Sequence, residues 1–171
     1  DMTLQTELSP KQREWLTSTG SLTQQLRTLT NGEINHQLFL ARWDNALEDE
    51  ALALNISPNS DVWLREIGWY YHGTLWVFAR VVIPRSSIQN EAAQLTKIGN
   101  QSLGDVLFQD PTLKQQILPL FTLNNTHPYA TRCKIAKRSI FTFHDQPLLV
   151  TEMFLTPFFD FVENHTDAIP R

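Results

Sequence analysis

Hydrophobic positions near the N-terminus follow a helical period. Leu22, Leu26 and Leu29 fall at i, i+4 and i+7, the spacing of one buried helix face. Ser21 stands ahead of them as a cap, with Gln24 placed for a capping box. The same signature occurs just upstream. Ser9-Pro10-Lys11-Gln12 combines a cap, a Pro at the first helical position and a Gln, so a short helix is expected through Trp15 and Leu16, closed by Gly20. Asn31-Gly32 marks the next turn.

Beyond that turn the pattern changes to strands. Ile34 to Trp43, Asp61 to Tyr71 and Leu75 to Ile83 read as strands, the last two joined at His72-Gly73 and stopped by Pro84. Ser87 to Ile98 predicts a helix closed by Gly99. Ser102 caps a short turn through Leu103, Val106 and Leu107, and Asp110-Pro111 reads as the start of another helical piece. Ile135 to Phe143 and Pro147 to Leu155 form a second hairpin around Asp145-Gln146. Strand pairs on tight turns, with helices between them, predict an α+β fold: a mostly antiparallel sheet with helices packed on it. The 171 residues suffice for one domain with a proper core, expected over 2–171, and no repeat or long linker divides it. Asp1 ahead of Met2 reads as a cloning remnant. Residues 156–171 read as a C-terminal extension whose Phe158, Phe159 and Phe161 pack on the domain or on a partner.

Composition narrows the partners. A net charge of −4 and a pI near 5.7 argue against nucleic acid, which needs clustered Lys and Arg. The single cysteine, Cys133, cannot form an internal disulfide, and the five histidines show no metal-ligand spacing. Gly99 to Gly104 lacks both the Lys-Ser/Thr of a phosphate loop and a dinucleotide fingerprint. No apolar run reaches membrane-spanning length and no signal peptide opens the chain, so a cytoplasmic protein is expected.

Chemistry concentrates in the hairpins. An even loop at His72-Gly73 sets Arg65 directly opposite Arg80, on a face shared with Trp63, Ile67, Trp69, Phe78 and Val82. Two like charges on an apolar face call for a shared anion, and the guanidinium fork suits a carboxylate. The alternative is that each Arg pairs with an internal carboxylate such as Glu66 or Glu152. Glu152 itself shares a strand face with Leu148, Val150 and Phe154, where a carboxylate is either an ion-pair partner or a tuned acid/base. The helix starts at Leu22 and Leu103 offer free backbone N–H groups to an anion. With the second loop at Asp145-Gln146, Glu152 faces Ser139, and Arg138 lies on the other face as a solvated residue beside Lys137.

These motifs fall in a familiar order. Trp63-Leu64-Arg65-Glu66-Ile67, Ala79-Arg80-Val81-Val82-Ile83-Pro84, Leu103-Gly104 with Leu107-Phe108, Arg138-Ser139, and the run from Pro147 to Leu155 resemble the chorismate pyruvate-lyase family at similar spacing. Gly20-Ser21-Leu22-Thr23 is similar to that family's N-terminal helix pair. Leu22 stands where familiar members carry Met, and Ala79 where they carry Gly. The resemblance implies a cofactor-free, cytoplasmic, monomeric enzyme that splits chorismate into 4-hydroxybenzoate and pyruvate. It further implies product inhibition, a product feeding ubiquinone-type biosynthesis, and two helical flaps over a buried ligand. It places Arg65 and Glu152 at the product's phenol oxygen, the Leu22 and Leu103 amides at the ring carboxylate, and Arg80 as a second arginine for the enolpyruvyl carboxylate. The competing reading is a non-catalytic domain of the same fold that binds an aromatic carboxylate as a sensor.

Overall fold

The computed structural model of the protein describes residues 7–171; Asp1 lies outside the described residues. Helix α1 (Pro10–Thr17) starts with the expected reciprocal cap: Ser9 Oγ accepts from the Gln12 N–H, and Gln12 Oε1 accepts from the Ser9 N–H. Helix α2 (Leu22–Thr30) is capped by Ser21 and ends at Asn31, whose left-handed backbone suits a C-cap. Then come β1 (Ile34–Asn45), α3 (Glu48–Leu54), and the hairpin of β2 (Asp61–Tyr71) and β3 (Thr74–Pro84). After α4 (Leu103–Leu107) follow β4 (Lys114–Ile117), β5 (Phe121–Thr122), β6 (Ile135–Phe143), β7 (Gln146–Phe154) and α5 (Thr156–Glu163).

The strands form one seven-stranded sheet in the order β1-β2-β3-β7-β6-β4, with β5 also on β6, and every pairing is antiparallel. Both faces are covered. On one, α1, α2, α4 and α5 pack over Ile67, Trp69, Ala79, Val81 and Val150. On the other, α3 and the segment around Leu123 and Tyr129 pack over Leu64, Phe78, Val82 and Met153. The C-terminal aromatics close the first face: Phe158 is fully buried with its ring 4.9 Å from Trp15, and Phe159 and Phe161 are half-buried beside it. Gly68 lets the sheet close on its far side, since a Cβ there would lie 2.5 Å from the Phe39 ring.

Several local expectations are corrected. Ser87 to Ile98 is not one α-helix but two 3-10 pieces, Arg85–Ser87 and Asn90–Thr96, interrupted where Asn90 takes a φ of 53°. Asp110-Pro111 opens no helix. The Asp110 carboxylate accepts from the Thr112 and His144 N–H groups, which fixes a turn, and the chain runs on into β4. Helix α3 and strands β4 and β5 had no counterpart in the periodicity. The second hairpin turns at His144-Asp145, both with positive φ (45° and 66°) as a type I′ turn requires, so Glu152 faces Lys137 rather than Ser139.

The largest correction concerns the first hairpin. Its tip pairs as expected, Tyr71 with Thr74 and Tyr70 with Leu75, but Trp69 then pairs with Val77. Trp76 is the extra residue of a β-bulge, its indole buried against Phe158 and Phe161. A one-residue slip moves every later side chain of β3 to the other face. Arg65 therefore sits opposite Val81, Arg80 sits opposite Glu66, and the two arginines lie on opposite faces of the sheet.

Candidate active site

A cavity of about 50 Å³ lies between the sheet and its helical roof. Its floor comes from β2, β3 and β7 through Ile67, Ala79, Val81, Val150 and Glu152, which the pairings Ile67 to Ala79 and Ala79 to Glu152 align across three strands. Its roof comes from Gly20, Leu22 and Thr23 on one side and from Ser102, Leu103 and Gly104 on the other. Phe141 and Phe108 close one end. The space has room for a few waters.

The two halves of the roof are joined. Thr23 Oγ1 and Ser102 Oγ share a hydrogen bond of 2.7 Å, and Arg27 donates to both oxygens of Asp105 at 2.8 Å. The Arg27 hydrogen bonds hold Asp105 below the usual carboxylate range. Gly104 permits the approach, since a Cβ there would lie 2.8 Å from Thr23 Oγ1. Leu22 and Leu103 open α2 and α4, so their amides have no acceptor within the helix, and both residues line the cavity.

Glu152 is the one ionisable side chain in the cavity wall among the described residues, and its side chain is 14% exposed. Burial pushes its carboxyl above the usual range, while the ammonium of Lys137 pulls the other way. Lys137 is fully buried; its Nζ lies 3.8 Å from Glu152 Oε1 and donates to the Ser18 carbonyl at 2.5 Å.

Arg65 is fully buried on the same face of the sheet. Its Nη1 and Nη2 donate to the Gly99 and Gln101 carbonyls, both at 2.6 Å, and so brace the loop that leads into α4. Its Nε has no acceptor, and among the described residues no carboxylate lies within ion-pair distance of it. Burial lowers its pKa.

Arg80 has a different environment, below the sheet. Its Nε donates to Glu50 Oε2 at 2.5 Å, Nη2 to Glu50 Oε1 at 3.0 Å, and Nη1 to Glu66 Oε2 at 2.8 Å and to Tyr129 Oη at 3.0 Å. Burial opposes the charge, but the Glu50 and Glu66 hydrogen bonds outweigh it and raise the Arg80 pKa. Tyr129 donates to Glu66 and is pushed up to about 12, first by burial. Arg138, expected in solvent, is buried here with its guanidinium over the Phe121 ring and Nη1 3.6 Å from Asp49.

The fold thus gathers Glu152, Leu22 and Leu103 around one cavity with Arg65 on the same sheet face, and it leaves Arg80 outside. Lys137 escaped the sequence reading, although a Lys between Ile135 and Ser139 on an apolar strand face is itself a signal. Glu50 had a weaker one, an acidic first turn ahead of an apolar run.

The family model described as chorismate lyase matches residues 2–163. A probable chorismate pyruvate-lyase of Coxiella burnetii is 40% identical over 151 residues, 84% of this chain and 82% of that protein. One of Nitrosospira multiformis is 34% identical, covering 86% of this chain and 88% of its own. Among solved structures, the PhnF C-terminal domain superposes with a TM-score of 0.52 at 11% identity, over 75% of this chain and 87% of that one, a likeness of fold alone.

Proposed function

The chain belongs to the chorismate lyase family, and we propose that it cleaves chorismate to 4-hydroxybenzoate and pyruvate inside the roofed cavity, as a cytoplasmic monomer without metal or organic cofactor. Among the described residues no helix is long and apolar enough to cross a membrane. The observation that carries the reading is Glu152. A carboxyl whose pKa burial raises, in the wall of an apolar cavity under a helical roof, suits proton transfer near neutral pH.

Chorismate carries a ring carboxylate, a ring hydroxyl and an enolpyruvyl ether with a second carboxylate. The reaction breaks the ether C–O bond, removes the proton from the ring carbon that bears the hydroxyl, and leaves an aromatic ring. The Leu22 and Leu103 amides receive the ring carboxylate. The ring then lies on Ile67, Ala79 and Val81, with its hydroxyl end toward Glu152. Glu152 takes the ring proton, and Arg65, whose Nε lacks a protein acceptor, stabilises charge developing at the ether oxygen; the departing enolpyruvate takes up a proton at its methylene carbon and becomes pyruvate. Arg80, engaged by Glu50 and Glu66, acts as a positioning residue: it ties β3 to the strand that carries Arg65, and the enolpyruvyl end falls to Arg65 instead.

A roof that closes over substrate also closes over product, so 4-hydroxybenzoate competes with chorismate and its release limits turnover. The test is direct: purified protein, exhaustively chelated, is given chorismate, and pyruvate and 4-hydroxybenzoate are followed together. Equimolar appearance of both supports the reading. Binding of 4-hydroxybenzoate with no pyruvate would assign the cavity to ligand sensing, and activity revived only by added Mg²⁺ would overturn cofactor independence.

A further inference from the structure

Lys137 has an environment that its length and charge do not explain by packing alone. Lysine is almost never fully buried unless it is paired. Here the side chain rises from β6 on the roofed face, directly across the sheet from Glu152, and no solvent reaches it. Its Nζ bonds the Ser18 carbonyl at 2.5 Å and lies 3.8 Å from Glu152 Oε1, within ion-pair range but beyond a direct hydrogen bond. Ser18 belongs to the link between α1 and α2, two residues ahead of the cavity-lining Gly20. That link is fixed from other sides too: Gln25 Nε2 donates to the Thr19 carbonyl at 3.0 Å, and the Gly20 N–H donates to Gln115 Oε1 at 2.9 Å.

We infer that Lys137 is a positioning residue for the lyase reaction, holding Glu152 as a carboxylate and anchoring it to the Ser18–Gly20 edge of the roof. The inference rests on the proposed role of Glu152 in proton transfer. A general base has to be ionised, and a carboxyl in this apolar wall drifts toward its neutral form, as the upward shift from burial shows. The other elements around Glu152 do little to offset this. From β3 it meets Ala79 and Val81, which are uncharged. Arg65 on β2 bonds the Gly99 and Gln101 carbonyls and forms no ion pair with Glu152. On the roof, Arg27 of α2 and Asp105 of α4 neutralise each other, and His36 of β1 contacts the Asn100 carbonyl. Lys137 is left as the cation within ion-pair distance of Glu152 among the described residues.

The experiment is the pH dependence of kcat/KM, taken by single turnover on the whole chain. In the wild type the acid limb reports Glu152, because the base is lost as pH falls through its raised pKa. Lys137→Met should move that limb upward by about one pH unit or more, since an opposite charge this close shifts a carboxyl by that order, and Lys137→Arg should return it most of the way. A merely structural lysine would lower the rate and leave the limb in place. Should Lys137→Met fold poorly, Lys137→Met/Glu152→Gln removes the pair together. On the Glu152→Gln background, loss of Lys137 should cost no further rate, and a further multiplicative loss would overturn the inference. If Glu152→Gln alone keeps the wild-type rate and acid limb, the role given to Glu152 fails first. If Glu152→Gln is impaired but Lys137→Met leaves the limb unmoved, only the inference about Lys137 fails.

Discussion

Two arginines buried on opposite faces of the sheet, Arg80 and Arg65, are held in opposite ways. On the far face, Arg80 is surrounded by Glu50, Glu66 and Tyr129, and its three nitrogens all have acceptors. On the roofed face, Arg65 has two carbonyls and an Nε with no partner. The same division holds for the carboxylates. Glu50 and Glu66 are neutralised by a guanidinium in contact, whereas Glu152 keeps only an ammonium at 3.8 Å and an open cavity. An arginine whose carboxylate partners are complete has nothing left for a ligand, while a carboxyl in a cavity wall with an incompletely satisfied arginine on the same sheet face is prepared to receive one. Arg80 is spent on stability, whereas Arg65 and Glu152 on the roofed face leave part of their polar capacity unspent.

Removing one member from each side tests this division. Arg80→Ala strands two buried carboxylates, so the expected cost is about 3–5 kcal/mol, on the order of 10 °C in Tm, read by thermal or denaturant unfolding. A wild-type Tm in that variant would show the far-face network to be solvated. Arg80→Lys should also lose stability, because an ammonium cannot span Glu50 and Glu66 as the fork does.

Glu152→Gln should reverse the pattern. Single-turnover chemistry falls by at least roughly a hundredfold, about 2.7 kcal/mol of transition-state stabilisation. Stability should fall less than in Arg80→Ala, because the Lys137 ammonium left behind keeps its bond to the Ser18 carbonyl. The Glu152 pKa is raised in the folded protein, so the native state holds this proton more tightly than the unfolded chain. Its contribution is present at low pH and is lost as pH rises from the ordinary carboxylate range through the raised value. Above that window the Gln variant should lose less stability than Arg80→Ala does, and a loss as large, with chemistry unimpaired, would make Glu152 a structural ion-pair partner instead.

The smallest effect belongs to the roof. Arg27 and Asp105 are each more than a third exposed, so their pair is worth no more than about 0.5–1 kcal/mol. Arg27→Ala or Asp105→Asn should weaken 4-hydroxybenzoate binding by roughly two- to fivefold and speed its release, as Trp fluorescence and stopped flow would record. About 1 M NaCl should mimic much of this in the wild type, because salt screens an exposed pair, and it should leave the far-face pairs of Arg80 almost unaffected. If salt and substitution both leave product affinity unchanged, the ion pair does not latch the roof.

Local physics was legible from residue order. The Ser9 capping box, the Ser21 cap without its reciprocal Gln24 bond, the period of Leu22, Leu26 and Leu29, and the turn at His72-Gly73 depend on neighbours a few positions apart, and the structure forms them. The face shared by Val150 and Glu152 was equally accessible, since strand alternation alone fixes it. The resemblance drawn from Arg65, Leu103-Gly104 and the run to Leu155 reached the family to which the chain belongs. What escaped was whatever depends on counting across a defect or over a long separation. Trp76 slips one residue of β3 with no Gly or Pro to announce it, and one residue puts Arg80 on the face opposite Arg65. The Glu50 that occupies Arg80 comes from 30 positions away, and the Thr23–Ser102 contact that closes the roof spans 79. Residue order determines which side chains a strand or helix presents together, because those periods are local. Which faces then meet, and which charges are already satisfied when they do, is decided only once the chain has closed on itself.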